Sequence, residues 1–109
     1  MNTENATKKP SKRAVAKLLR GGASRIEKFG WRKGTFGNEH TGFCALGSIK
    51  YGKSAESDVA ARAMRQVLRS EGLADYVATF NDSVANDKSE VTALMRRTAR
   101  ALEHGLVVK

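Results

Sequence analysis

Disulfides are the first thing this chain lacks, since Cys44 is its only cysteine. One thiol has no partner within the chain, so a disulfide-stapled scaffold is excluded and a reducing bacterial cytoplasm is the expected setting. No apolar run approaches the ~18–20 residues that span a bilayer, and no membrane role is expected. The opening stretch, Met1-Asn-Thr-Glu-Asn-Ala-Thr-Lys-Lys-Pro10, is polar and lacks the apolar centre of a secretory signal. Acids are scarce too: 11 against 20 cations, a net charge of +9. Neither an internal repeat nor a low-complexity tract is present. What is there is a globular balance, 40% hydrophobic and 28% charged, in 109 residues that suit one small domain. A core for so short a chain leaves few residues over for catalytic machinery.

The excess charge is concentrated. Residues 1–33 hold Lys8, Lys9, Lys12, Arg13, Lys17, Arg20, Arg25, Lys28, Arg32 and Lys33 against only Glu4 and Glu27, a balance of +8. Residues 34–109 come to +1. A concentrated positive field attracts polyanions, nucleic acid first, then acidic protein surfaces or anionic lipid. The competing reading is a solvated face that keeps the protein soluble.

Periodicity predicts a mainly α fold, a compact single domain of four to five helices behind a flexible basic arm. Residues 1–11 read as that arm and 12–109 as the helical domain. After Ser11 as N-cap, Val15, Leu18, Leu19, Gly22, Ile26 and Phe29 recur at helical spacing, so a helix is expected over 12–29 with Gly30 as its stop. Gly21 and Gly22 each cost about 1 kcal/mol relative to alanine inside a helix. Gly22 falls on the apolar stripe, where close approach of a second helix compensates; a break at Gly21 is the alternative. Arg13, Lys17, Arg20 and Lys28 fall on the opposite side.

Residues 30–42 read as an ordered, glycine-rich loop with a short strand near Thr35-Phe36, and Trp31 is expected to plug the core. Phe43 opens a short helix running to about Tyr51. Ser54 to Glu71 is a stronger helix, apolar through Val59, Ala60, Ala63, Met64, Val67 and Leu68, with Gly72 as its end. Leu73 to Phe80 is a short apolar piece, helical or extended, and Asn81-Asp82-Ser83 a turn. Asp87 and Glu90 fit a capping box that opens a last helix with Val91, Leu94, Met95, Thr98 and Leu102 on one side.

Three patterns bear on chemistry. Gly47-Ser-Ile-Lys-Tyr-Gly52-Lys53-Ser54 satisfies the phosphate-binding string G-x-x-x-x-G-K-[ST] letter for letter. Too few strands accompany it for the parallel sheet that such a loop needs, so nucleotide binding through Gly47, Gly52, Lys53 and Ser54 is a remote alternative. His40 and Cys44 stand four apart, but without a second cysteine no metal site is expected, and Cys44 reads as a small buried hydrophobe. Arg62, Arg65 and Arg69 share a face of the 54–71 helix; a DNA-reading helix is weighed against a solvated face, and the solvated face is preferred.

The ordered residues resemble a known pattern. Ile26-Glu-Lys-Phe-Gly-Trp31, Lys33-Gly34, Phe43-Cys-Ala-Leu-Gly47-Ser-Ile49, Ala78-Thr-Phe-Asn-Asp82 and Glu90-Val-Thr-Ala-Leu-Met95 are similar to a small uncharacterised family of actinobacteria and their phages. Its marks are a Gly-Trp-x-x-Gly turn, a Cys-x-Leu-Gly segment and an aromatic-Asn-Asp turn, where this chain has Phe80 in place of tryptophan. The resemblance implies a phage or actinobacterial cytoplasm and a small accessory protein that acts by binding. Trp31, Cys44, Gly47, Asn81 and Asp82 then form either a structural nucleus, which is preferred, or a shared active site.

The expected function follows from the charge. The chain reads as a non-enzymatic protein that binds nucleic-acid backbone through Lys8, Lys9, Lys12, Arg13, Lys17, Arg20, Lys28, Arg32 and Lys33. The alternative is a ligand for an acidic surface on a host protein. No catalytic residue, cofactor or metal is assigned.

Overall fold

A computed structural model describes residues 10–109, so Lys8, Lys9 and most of the expected arm lie outside the described residues. Helix α1 spans Lys12–Phe29, with the bounds that the periodicity predicts. The Ser11 hydroxyl accepts from Ala14 N–H at 3.0 Å and caps its start, and Gly30 N–H donates to Ile26 O at its end. The helix runs unbroken through Gly21-Gly22. A Cβ on Gly22 would stand 2.6 Å from Met95 Cε and 2.9 Å from Ile49 Cγ2, so the missing side chain is what lets α1 approach its neighbours. No neighbour crowds Gly21.

The loop after α1 differs from expectation. Strands β1 (Gly37–Asn38) and β2 (Gly42–Phe43) form a tight antiparallel hairpin, Gly37 opposite Phe43, with β1 two residues beyond the expected Thr35-Phe36. The shift has a local cause: Asn38 Oδ1 accepts from the N–H groups of His40 and Thr41 and closes the turn there. Phe43 also bridges back to Trp31, its N–H donating to Gly30 O and its carbonyl accepting from Arg32 N–H. Phe43 is therefore strand, and the helix expected from it to Tyr51 shrinks to one turn, α2 (Ala45–Ser48).

Helix α3 (Ala55–Ser70) starts at a reciprocal box between Ser54 and Ser57. The apolar piece after Gly72 is helical rather than extended: α4 (Val77–Thr79) continues directly into a wider π-helical turn, Phe80–Val84. The expected simple turn at 81–83 is replaced because Phe80 and Asn81 are both buried, and the wide turn closes with Ala85 N–H on Phe80 O at 2.8 Å. Helix α5 (Lys88–Glu103) is capped by Asp87, which accepts from Glu90 N–H at 3.1 Å. The Glu90 carboxylate reaches back to Asn86 N–H rather than to Asp87, a variant of the expected box.

The fold is mainly α, as the periodicity predicts. Its core joins Val15, Leu19 and Ile26 of α1, Met64 and Leu68 of α3, and Val91, Leu94, Met95 and Leu102 of α5, all buried. Each such side chain stabilises the fold by about 1.5–3 kcal/mol through the apolar area it removes from water. Trp31 is half-buried at the edge of this core instead of plugging it. The radius of gyration, 13.5 Å, is that of a compact domain of this length. Among the described residues no helix is long and apolar enough to cross a membrane.

Candidate functional site

The buried stripe of α1 fixes what its other side can present. Arg13, Lys17 and Lys28 stand exposed on the side away from Val15, Leu19, Gly22 and Ile26, with no acid among them. Helix α5 runs antiparallel beside α1, and the border is closed by two ion pairs. Arg20 pairs with Glu103, and Glu27 takes Arg96 in a fork, at 2.7 and 2.9 Å. The Arg96 hydrogen bonds hold the Glu27 carboxyl below its ordinary range, with Lys88 adding to the pull, and Glu27 in turn raises the Arg96 guanidinium. Arg100 follows Arg96 by one turn and is exposed. Among the described residues the two helices thus carry a cationic face of Arg13, Lys17, Arg20, Lys28, Lys88, Arg96 and Arg100, with Glu27 and Glu103 paired within it.

The remaining predicted cations are placed elsewhere. Lys12 donates from Nζ to Gly105 O at 3.2 Å, at the end of α5. Lys17 also borders a shallow cleft with Arg25, where Glu56 of α3 stands beyond ion-pair distance. Arg25 itself turns inward and donates to Ser48 O. Arg32 bonds Thr35 Oγ1, and the Lys33 ammonium lies 5.2 Å from the centre of the Trp31 ring, so both belong to the loop. Sequence reasoning missed Lys88, Arg96 and Arg100. Their spacing put them on one side of the last helix, but only the packing of α5 on α1 shows which side that is.

A second assembly gathers the motif residues. Asn81 is 1% exposed and uses all four of its side-chain bonds. Its Oδ1 accepts from Trp31 Nε1 at 2.9 Å and Ala45 N–H at 3.0 Å. Its Nδ2 donates to Arg32 O at 3.0 Å and to Asp82 Oδ1 at 2.8 Å. Asp82 Oδ1 also accepts from Gly34 N–H at 3.0 Å, and Cys44 Sγ from Gly47 N–H at 3.3 Å. The loop, α2 and the π turn are thereby tied at one point. Beside it opens a cavity of about 400 Å³, walled by Phe36, Cys44, Leu46, Ala78, Asn81 and Asp82 among others. Burial pushes the Cys44 thiol up and the Asp82 charge adds to it, the direction of a buried apolar side chain rather than of an activated thiolate.

A family model described as a family of unknown function (DUF6197) matches residues 10–101. The chain belongs to this family. No curated protein and no solved structure matches it. The DUF6197 match takes in α1, the hairpin, the Asn81 cluster and almost all of α5, so both assemblies lie inside the family's span.

Within this DUF6197 chain the phosphate-loop string has local work to do. Gly47 sits inside α2, where a Cβ would stand 1.9 Å from Phe36 O, so close packing on the loop demands glycine. The Ser54 hydroxyl is occupied as the cap of α3, accepting from Ser57 N–H at 3.1 Å, and Lys53 is exposed. Only Gly47 and Ser48 of the string are helical, residues 49–54 run as turns and bends, and the sheet among the described residues is an antiparallel hairpin rather than the parallel sheet of a phosphate-loop fold. His40 lies exposed on the hairpin and does not line the Cys44 cavity. Among the described residues no group of three His, Cys, Asp or Glu is placed to hold a metal ion.

Proposed function

We propose that this DUF6197 protein is a small non-enzymatic binding protein that engages nucleic-acid backbone through the face shared by α1 and α5. Lys8 and Lys9, outside the described residues, add their charge to the same engagement in this reading. The observation that supports this reading is the run of exposed Arg13, Lys17 and Lys28 with no acid among them, flanked by Arg20, Lys88, Arg96 and Arg100. A face of this kind follows phosphates through charge, without reading bases. The motif resemblance adds the setting: an accessory protein of actinobacteria or their phages, acting in a bacterial cytoplasm.

The test is fluorescence anisotropy against a duplex of random sequence, titrated with salt. Neutralising six to eight phosphates gives log affinity a slope of about −5 to −7 against log salt. Arg13→Glu, Lys17→Glu and Lys28→Glu combined remove the binding, while the melting temperature stays near wild type because all three side chains are exposed. A folded triple variant that binds as before overturns the proposal. If the wild type ignores DNA and instead captures one protein, at fixed stoichiometry, from nuclease-treated lysate, the same face serves an acidic partner.

A further inference from the structure

The fold leaves three of its aromatic side chains in water: Phe36 at 54%, Tyr51 at 43% and Tyr76 at 57% exposure. Two of them, Tyr51 and Tyr76, wall a cleft of about 500 Å³ between α3 and α4, together with Arg62, Arg65, Val77 and Ala78. No acid lines this cleft. The Arg65 guanidinium lies 4.6 Å from the centre of the Tyr76 ring, and its Nε is anchored on Asp75 O at 2.9 Å. Its two terminal nitrogens hold no partner among the described residues, and Arg62 makes no ion pair among them either. None of these residues belongs to the α1 and α5 face.

We infer that this cleft is a second binding site, one that takes the unpaired bases of single-stranded nucleic acid. Two kinds of group are needed for such a ligand and both are present. An aromatic ring stacks on any base, and a planar guanidinium held against that ring binds the adjoining phosphate in a fork. Arg65 has already lost its freedom to Tyr76 and Asp75, so little further ordering is needed when a phosphate arrives. Charge selects the occupant: the walls carry two cations and no acid, in a chain of net +9, which favours an anionic partner with exposed planar rings. Duplex DNA hides its bases in the stack and gains nothing from Tyr51 or Tyr76. The cleft therefore separates single strands from duplex, a distinction the α1 and α5 face cannot make.

The experiment uses the whole chain and two labelled probes, a thymidine oligonucleotide of about 15 nucleotides and a duplex of equal length. Wild type binds the oligonucleotide. Tyr76→Ala weakens it roughly tenfold or more, the loss expected of one stacked base. Tyr76→Phe keeps the ring and stays near wild type, and Arg65→Lys, which keeps charge but not the fork, falls between. All three variants bind duplex as wild type does. Tyr76→Ala binding the oligonucleotide normally overturns the inference, as does Tyr76→Phe failing while still folded. Duplex binding without oligonucleotide binding ends this inference and leaves the α1 and α5 reading standing. Oligonucleotide binding without duplex binding does the reverse. Loss of a captured protein partner in Tyr76→Ala, with no oligonucleotide bound by wild type, assigns the cleft to protein and also overturns it.

Discussion

Asn81 shows how much one side chain decides in a domain with so little regular structure between its long helices. It is buried, and its amide meets Trp31, Ala45, Arg32 and Asp82 with two acceptor and two donor bonds. Only a carboxamide supplies both kinds of bond at this size, which is the physical reason for asparagine here. Asn81→Asp keeps the acceptor but loses both donations, leaves Arg32 O without that partner, and sets a second carboxylate against Asp82. We expect a loss of at least about 2 kcal/mol at neutral pH, from an unpaired buried group and a buried like-charge pair. Burial and Asp82 raise the new carboxyl in the folded state, so that state holds its proton more tightly than the unfolded chain does. The deficit of Asn81→Asp therefore shrinks as pH falls toward 5, while that of Asn81→Ala stays nearly constant. Urea unfolding of both variants at pH 7 and pH 5 reads this. Equal deficits at the two pH values would remove the carboxylate pair from the account. Cys44 carries a related lesson: its burial follows from residue type, but its role as cap for Gly47 N–H depends on the strand before it.

At the scale of elements, the two adjacent glycines of α1 have opposite reasons for being there. Gly21 is exposed with nothing near, so Gly21→Ala should stabilise by about 1 kcal/mol through helix propensity alone. Gly22 faces Met95, Ile49 and Ser48 at under 3 Å from where its Cβ would be. Gly22→Val forces these side chains apart and should cost about 1–3 kcal/mol as overpacking does. For a chain of this length, thermal melts should place the first variant about 4 °C above wild type and the second below it. Two melts shifted in the same direction would break the argument. The same contrast explains what was legible beforehand. Helices α1 and α3 could be read to within a residue, and α5 at its capped start, because Val15, Leu19 and Ile26, or Val91, Met95 and Leu102, repeat at the period of the helix. The hairpin and the π turn could not, because their form rests on contacts distant in sequence: Phe43 on Trp31, Asn81 on both Trp31 and Ala45. The cationic side of α1 was legible for the same reason as the helix. Its extension by Lys88, Arg96 and Arg100 was not, since it needs the pairing of two helices, and the Tyr76 cleft needs the fold of the segment after Gly72.

Over the whole molecule, the charge of +9 is not spread evenly: residues 1–33 hold +8 of it, and where α1 meets α5 the border cations Arg20 and Arg96 are paired with acids. Surface ion pairs such as Arg20–Glu103 add little to stability, about 0–1 kcal/mol, because both partners remain open to water. Their effect on the field is larger in consequence. Each pair removes one cation from the set that a phosphate can reach, so Glu27 and Glu103 limit how strongly the face attracts a polyanion. Glu103→Gln releases Arg20 without touching the core, and it should leave the melting temperature nearly unchanged. If the α1 and α5 face lies along phosphates, duplex affinity should rise, and the slope of log affinity against log salt should steepen by about 0.9, one more counterion released. Parallel salt titrations of wild type and Glu103→Gln measure this. An unchanged slope places Arg20 outside the contact and narrows the interface to the side of α1 that carries Arg13, Lys17 and Lys28. A slope that steepens only in the duplex titration, and not with the single-stranded probe, would further show that the two ligands use different parts of the surface.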